Sequence, residues 1–310
     1  MTVGIAALFS WNYAKGGQTL DLGRAVIIVS DRMITAGDIQ YEPPQQKVAR
    51  ITDHVWLVVA GDYDLHSEAI NNLQAHAQKV NTIKPFDAAV MYGAQIQAIQ
   101  RRHAEALYLA PLGLNTDSFL AQQREMSGQL VDAITSQLQA HEGSSVQAII
   151  AGVDTGDGHA HIYLVDHRGM VRCFDDVGFV AIGSGAWHAQ SAIMQTGYIN
   201  SSTFGTAATT LFAAKKAAEV APGVGSYSDV RILTRESCFT LKGNGNSTWE
   251  RIADELEKIH AKVASYRNAL HTQAVKELED ALNAPTPQEP KDLTNVTPIS
   301  TATGGDSKNS

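Results

Sequence analysis

Ala25-Val26-Ile27-Ile28-Val29-Ser30-Asp31-Arg32-Met33-Ile34-Thr35-Ala36-Gly37 is an apolar run that stops at a carboxylate and is followed by a threonine and a glycine. Its first six residues read as a buried strand. Upstream, Val3-Gly4-Ile5-Ala6-Ala7-Leu8-Phe9 reads as another. Trp11–Gly23, which carries Gly16-Gly17, reads as a loop or an extended hairpin tip between them. Downstream, Val48–Ile51 and Val55–Val59 read as two more strands, joined by a turn at Thr52-Asp53-His54.

Helical periodicity then takes over. Leu65, Ala69, Leu73, Ala77 and Val80 recur every three or four residues, which predicts an amphipathic helix over Asp62–Val80. A second is predicted over Pro85–Leu109. It ends at Pro111-Leu112-Gly113, and a third covers Thr116–His141, with Thr116 or Asp117 as its cap. Short strands return at Val146–Val153, His161–Asp166, Met170–Asp175 and Phe179–Ile182, separated by Asp- and Gly-rich turns. Helices near Ala186–Thr196 and Ala207–Val220 precede a last strand, Val230–Thr234. Strands joined by hairpins imply antiparallel sheets. Two such sheets with helices outside give an α+β, four-layer αββα sandwich, expected over residues 2–245.

From Ser247 the pattern changes. Ser247 and Glu250 have capping-box spacing, and Ile252, Leu256, Ile259, Val263, Tyr266 and Leu270 follow a heptad-like seam. A long helix is expected over 247–284. The Pro-, Thr-, Ser-, Asn- and Gly-rich stretch 285–310 is expected to be disordered.

Composition narrows the function. The chain has 310 residues, a net charge of −8, 44% apolar residues and 18% charged residues, with no run of Lys and Arg. A nucleic-acid or anionic-membrane partner is therefore not expected. No apolar run approaches the roughly 20 residues of a spanning helix, and no secretory signal is evident, so a cytoplasmic location is expected. Cys173 and Cys238 lie in strand-like runs and read as small buried hydrophobes. There is no phosphate loop and no dinucleotide fingerprint, so no cofactor is expected. Asp154, Asp157, His159 and His161 are close in sequence, but the tight turn that holds the carboxylates makes them a poor metal set.

A threonine at position 2 means little alone. With Met1 removed, its α-amine, of pKa about 7.7, stands beside its own hydroxyl and can take that proton. Such chemistry needs a cation near the amine, a carboxylate to hold the cation, and a backbone N–H for the oxyanion. Lys47 follows Asp31 by sixteen residues, at the start of a strand. Gly61, preceded by Ala60, follows Lys47 by fourteen, at a strand-to-helix junction. Each has a plainer reading. Asp31 could be a turn residue, Lys47 a solvated strand end, Gly61 a glycine needed for a tight turn, and Ile182-Gly183-Ser184-Gly185 an ordinary helix cap.

Taken in register, strand–Asp–x3–Thr–x–Gly, then Lys47, then Ala60-Gly61, with Gly152-Val153-Asp154 and Ile182-Gly183-Ser184-Gly185 further on, the chain resembles proteasome β-subunits and the related bacterial HslV-type peptidases. These are N-terminal-nucleophile hydrolases. The likeness spans about residues 2 to 235. It implies that Thr2 is the nucleophile and its amine the base. Lys47 lowers the pKa of Thr2, Asp31 orients Lys47, the Gly61 N–H forms the oxyanion hole, and Ser184 hydrogen-bonds the amine. Thr35 and Gly61 would pair with the substrate backbone like an added strand. Thr35, Gln45, Ala49, Val59 and Tyr63 would line the pocket for the residue before the scissile bond, giving a preference for apolar side chains there.

The resemblance further implies a homo-oligomer of stacked rings that encloses the sites, peptides or unfolded proteins as substrate, and, where unfolding is needed, a separate ATPase. No long propeptide precedes Thr2, as in the simpler bacterial members. Four features depart from the family pattern. About a dozen extra residues lie around Trp11–Arg24. Ser228 fills the place of a supporting serine, but no acidic residue precedes it and Asp229 follows it. Ala186 stands where a second serine is frequent. The long C-terminal helix is atypical. Two other readings stay open: a ring subunit that keeps the fold without turnover, and an amidohydrolase acting on a small amide.

Overall fold

A computed structural model describes residues 2–15, 18–36, 39–41, 47–80, 82–141, 143, 145–235, 238–241 and 272–277. The chain divides into two units, Met1–Leu256 and Glu257–Ser310.

Alternation along the first strands sets the layers of the larger unit. Strand β1 (Gly4–Lys15) pairs antiparallel with β2 (Gln18–Asp31). Of the two readings of Trp11–Gly23, a loop or an extended hairpin tip, its described residues fit the second. Pairing passes an irregularity between Ser10 and Asn12 and continues to Lys15 opposite Gln18. A bulge of this kind absorbs a register change without ending the ladder. Val3, Ile5, Ala7 and Phe9 project to one face with Ala25, Ile27 and Val29. Ala6, Leu8, Val26 and Ile28 project to the other. Both sets are buried, so this sheet is covered on both sides.

Two five-stranded sheets result. The first has the order β10 (Phe179–Ile182), β1, β2, β11 (Ser228–Leu233), β12 (Cys238–Leu241). The second has the order β5 (Val48–Arg50), β6 (Val55–Gly61), β7 (Val146–Val153), β8 (Ala160–Val165), β9 (Val171–Cys173). Every pairing in both is antiparallel. Between the sheets lies a core of Ala6, Leu8, Ile28, Val58, Ile149 and Ile162. Outside the second sheet, α1 (Tyr63–Val80) and α2 (Pro85–Tyr108) pack Leu65, Leu73, Tyr92 and Ile96 against Leu57, Val59 and Ile150. Outside the first, α5 (Ala186–Gln195) and α6 (Phe204–Ala218) pack Ile193, Leu211 and Ala214 against Ile5, Phe9 and Ile27. This is the expected four-layer αββα sandwich.

Three local expectations are corrected. The helix expected over Thr116–His141 is two helices, α3 (Thr116–Gln122) and α4 (Gly128–Ala140). Ser127 starts the second by accepting from the Leu130 N–H. Its cap-and-glycine pair is a helix start set inside a continuous apolar pattern. The cap of α3 is Asn115, which exchanges side-chain bonds with Ser118, rather than Thr116 or Asp117. The two cysteines are not core residues: Cys173 is exposed and Cys238 half-buried, and both are free. They sit on β9 and β12, the outer edges of the two sheets, where a strand has a neighbour on one side only.

A two-stranded hairpin, β3 (Ile34–Ala36) with β4 (Ile39–Tyr41), stands apart from the sheets. Three-residue strands are too short to announce themselves by alternation. The expected helix over 247–284 and the tail 285–310 lie outside the described residues, except that 272–277 are helical. Among the described residues no helix is long and apolar enough to cross a membrane.

Candidate active site

Four of the residues singled out from sequence meet at one end of the sandwich. Thr2 enters β1 and is 2% exposed. Asp31 ends β2, which runs antiparallel to β1, so the hairpin brings the start of one strand beside the end of the other. The Asp31 backbone N–H donates to the Val3 carbonyl at 3.1 Å, which ties the two ends together.

The Lys47 ammonium, donating from the start of β5, lies 2.5 Å from Thr2 Oγ1 and 3.0 Å from each carboxylate oxygen of Asp31. The Thr2 hydroxyl also donates to Asp31 Oδ1. Asp31 is fully buried. An isolated carboxylate there would cost several kcal/mol, about the scale of ion desolvation. Its charge is met by Lys47 and by three backbone N–H donors: Val3 to Oδ1 at 2.9 Å, Met33 to Oδ2 at 2.9 Å and Gly225 to Oδ2 at 3.1 Å. The carboxylate therefore has one available orientation, and that orientation aims Lys47 at the threonine oxygen.

Ser184 holds the other side of Thr2. The Thr2 N–H donates to Ser184 Oγ at 3.2 Å. The serine oxygen is also 3.3 Å from the carbonyl oxygens of Thr2 and of Pro222, one of which takes its proton. The flanking glycines follow from this close approach. A β-carbon on Gly183, whose φ is +87°, would lie 2.3 Å from the Thr2 carbonyl oxygen. One on Gly185 would crowd Ala218, Val224 and Val3. The Gly185 N–H donates to the same Thr2 carbonyl at 3.2 Å.

Gly61 is not part of this hydrogen-bonded cluster. It is the last residue of β6, with φ of +111°, and a β-carbon there would lie 2.0 Å from the Ser145 carbonyl oxygen. Val59, two residues earlier, donates its N–H to the Lys47 carbonyl at 3.3 Å. Two strand residues advance about 7 Å, which bounds how far along the strand Gly61 stands from that pairing. Ala49 and Val59 share the face of the second sheet that packs on Leu65 and Leu73. Tyr63, at the start of α1, is exposed. Thr35 is central in β3, opposite Gln40. Gln45 lies outside the described residues. Ser228 opens β11 directly across from Asp31. The Asp229 carboxylate is committed elsewhere, to a two-bond pair with Arg32 at 2.7 and 3.1 Å.

Two contributors were not singled out from sequence. One is the Gly225 N–H, since a backbone donor leaves no mark on residue type. The other is Lys215 on α6, 3% exposed. Its ammonium donates to Glu219 at 2.6 Å and to the carbonyls of Gly225 and Ser226 at 2.5 and 2.9 Å. Burial pulls Lys215 below the usual lysine range, against the opposing pull of Glu219. It pins the loop whose Gly225 N–H reaches Asp31. In Ala214-Lys215-Lys216-Ala217 no feature of the sequence distinguishes the buried lysine from its exposed neighbour.

The turn around Asp154 has other tasks. Asp154 pairs with Lys84 at 3.0 Å, and His161 Nδ1 is 2.7 Å from Asp175. Among the described residues no three His, Cys, Asp or Glu side chains are grouped as metal ligands.

No protein-family model matches the chain. It is similar to the curated "Proteasome subunit beta 1" of Pyrobaculum aerophilum, 27% identical over 219 residues, an alignment covering 69% of this chain and 87% of that protein.

Proposed function

From a chain related to the proteasome β subunits, we propose a threonine-type peptidase in which Thr2, freed by removal of Met1, is the nucleophile. One observation carries the reading: the Lys47 ammonium bridges Thr2 Oγ1 and both oxygens of Asp31 in a buried pocket. A largely covered lysine aimed at a threonine hydroxyl gains nothing for packing, but it stabilises negative charge on that oxygen.

The reaction follows from the groups present. The Thr2 α-amine takes the proton from its own hydroxyl as Oγ1 attacks the scissile carbonyl carbon. The oxyanion receives the Gly61 N–H. Collapse breaks the C–N bond, the departing amine takes the proton from the α-amine, and an acyl ester remains on Thr2. Water, deprotonated by the same amine, attacks the ester, and the second collapse releases the carboxylic acid and restores Thr2. An amine of pKa near 7.7 to 8.0 is only in part unprotonated at neutral pH, so the Lys47 charge helps by disfavouring its protonated form. The Ser184 oxygen, placed on the Thr2 nitrogen, orients the lone pair.

A preference for apolar residues before the scissile bond is what the family resemblance implies for Ala49 and Val59, which are small and apolar and pack beside Leu65 and Leu73. Stacked homo-oligomeric rings, an unfolded-protein substrate and a separate ATPase extend the reading as what the family resemblance implies. Two free cysteines fit a reducing compartment such as the cytoplasm.

The test is intact mass after incubation with a β-lactone or epoxyketone. Loss of Met1 together with a single added inhibitor, absent in Thr2→Ala, is the expected result. Wild-type turnover by Thr2→Ala would reject it. A second reading, a ring subunit without turnover, is favoured by the absence of an acidic residue in Gly225-Ser226-Tyr227 before Ser228 and by the commitment of Asp229 to Arg32. It predicts that the inhibitor adds no mass.

A further inference from the structure

The peptide unit between Ala60 and Gly61 supplies two groups at once, the Ala60 C=O and the Gly61 N–H. In a planar trans peptide these point in opposite directions, so fixing one fixes the other. The Val59 N–H points toward the Lys47 carbonyl. Strand alternation returns the Gly61 N–H, two residues on, to that same side, and the Ala60 carbonyl faces the other, toward β7, where Ala60 stands opposite Gln147 one step before the pairing ends.

His66 lies where that carbonyl points. It sits on the second turn of α1 and is 1% exposed. Its Nε2 is 3.0 Å from the Ala60 carbonyl oxygen, and its Nδ1 meets the hydroxyl of Tyr92 on α2, which is equally buried. A carbonyl oxygen can only accept, so Nε2 carries the proton. Burial lowers the pKa of His66 to about 4, so the ring is neutral at working pH and Nδ1 is bare. Nδ1 then accepts from the Tyr92 hydroxyl. The chain Tyr92 Oη–H to Nδ1, Nε2–H to Ala60 O has one consistent direction and no spare proton.

We propose that His66 is a positioning residue whose Nε2–H anchors the Ala60 carbonyl and so keeps the Gly61 N–H turned toward the substrate. The β7 ladder ends at this peptide, with Gly61 opposite Val146, and the need for an anchor beyond it comes from Gly61 itself. A side chain is excluded there by the Ser145 carbonyl, so the residue must be glycine, and glycine is the residue least able to resist rotation of its own peptide. A flipped unit would present a carbonyl oxygen where the oxyanion must be received. This inference rests on the peptidase reading above, with Gly61 as the oxyanion donor.

The experiment compares wild type, His66→Leu, His66→Gln and His66→Asn for peptide turnover and for affinity to a peptide boronate, whose tetrahedral adduct places an oxygen at the same N–H. His66→Leu is expected to lower kcat about 10- to 100-fold with KM within about twofold, and to weaken the boronate by a similar factor. His66→Gln, whose amide can donate to Ala60, is expected to recover most of both. Should His66→Leu fail to fold, the shorter amide of His66→Asn serves in its place, with the same loss expected. Wild-type kcat in His66→Leu or His66→Asn, a change confined to KM, or a His66→Gln as impaired as His66→Leu would overturn the proposal. A wild-type protein that cleaves no peptide and takes up no threonine-directed inhibitor removes the peptidase reading itself. An active wild type indifferent to position 66 removes only the anchor.

Discussion

The Thr2 carbonyl oxygen occupies the space that a β-carbon on Gly183 would need, 2.3 Å from its ideal position. The turn between β10 and α5 is therefore shaped around the amino-terminal strand, although the two are about 180 residues apart in sequence. Gly183→Ala would have to adopt a φ of +87° as well as displace Thr2. The expected cost is about 2–4 kcal/mol of stability, from a strained φ and an overpacked contact. Inhibitor labelling of Thr2 should fall more steeply than the loss of folded protein. Thermal unfolding and labelling measured side by side check this.

Lys47 and Asp31 should behave as a pair. Lys47→Ala leaves the Asp31 carboxylate buried with its backbone donors but no cation in contact, Lys215 acting only at longer range. The expected cost is about 3–5 kcal/mol of stability, with peptide hydrolysis down by at least about 10²-fold. Lys47→Ala with Asp31→Asn removes the stranded charge but sets an amide NH2 against the backbone N–H donors of Val3 or of Met33 and Gly225, so the double variant should recover only part of the lost stability and none of the hydrolysis. Urea unfolding of the wild type and the two variants decides it.

His66 gives the acid limb of stability a definite shape. An unfolded histidine takes its proton near 6.5, whereas buried His66 does so only near 4, chiefly through desolvation. Across that window the unfolded chain binds more protons, so falling pH favours unfolding. The contribution is whole above about pH 6.5, is lost by about pH 4, and amounts to about 3 kcal/mol. The groups that face the ring are Tyr92 from α2 and, by charge, Asp62, which opposes the shift weakly. Unfolding free energy of His66→Gln should fall less steeply than wild type between pH 6.5 and 4. Parallel curves would show that His66 is not the titrating group.

Phe9 ties the first sheet to its helices. It is fully buried and packs edge-on or tilted against Trp11 and Phe204 at ring separations of 5.9 and 5.4 Å. Phe9→Ala is expected to cost about 3–5 kcal/mol, the transfer term plus the cavity left behind. A shift in the urea midpoint with an unchanged slope would identify the loss as one of packing.

Much of the molecule was readable along the chain because its signals are local. Val3–Phe9 and Ala25–Ser30 alternate no polar residues with apolar ones, which marks strands buried on both faces, and both lie in a sheet sandwiched between a helix layer and a second sheet. Helix starts were less legible. Ser127-Gly128 broke an apolar pattern that otherwise continued through Thr116–His141. Cys173 and Cys238 were misplaced because residue type predicts average burial, whereas edge position decides the actual value. Over Trp11–Gly23 the sequence left a loop and an extended hairpin tip open, and pairing between β1 and β2 selects the hairpin for the described residues.

The order of residues by itself determined the α+β class, the layered pattern of strands and helices, and the spacing of Asp31, Lys47, Gly61 and Ser184 that singles them out. These depend on periods of two and 3.6 residues and on glycine at fixed places, which are properties of neighbouring positions. Only the tertiary structure decided that Asp31 takes three backbone donors, that Lys215 rather than Lys216 is buried, and that His66 meets the Ala60 carbonyl. Those facts belong to surfaces that packing brings together, whether near or far in sequence, and a backbone N–H or a desolvated side chain gets its character from whatever packs against it.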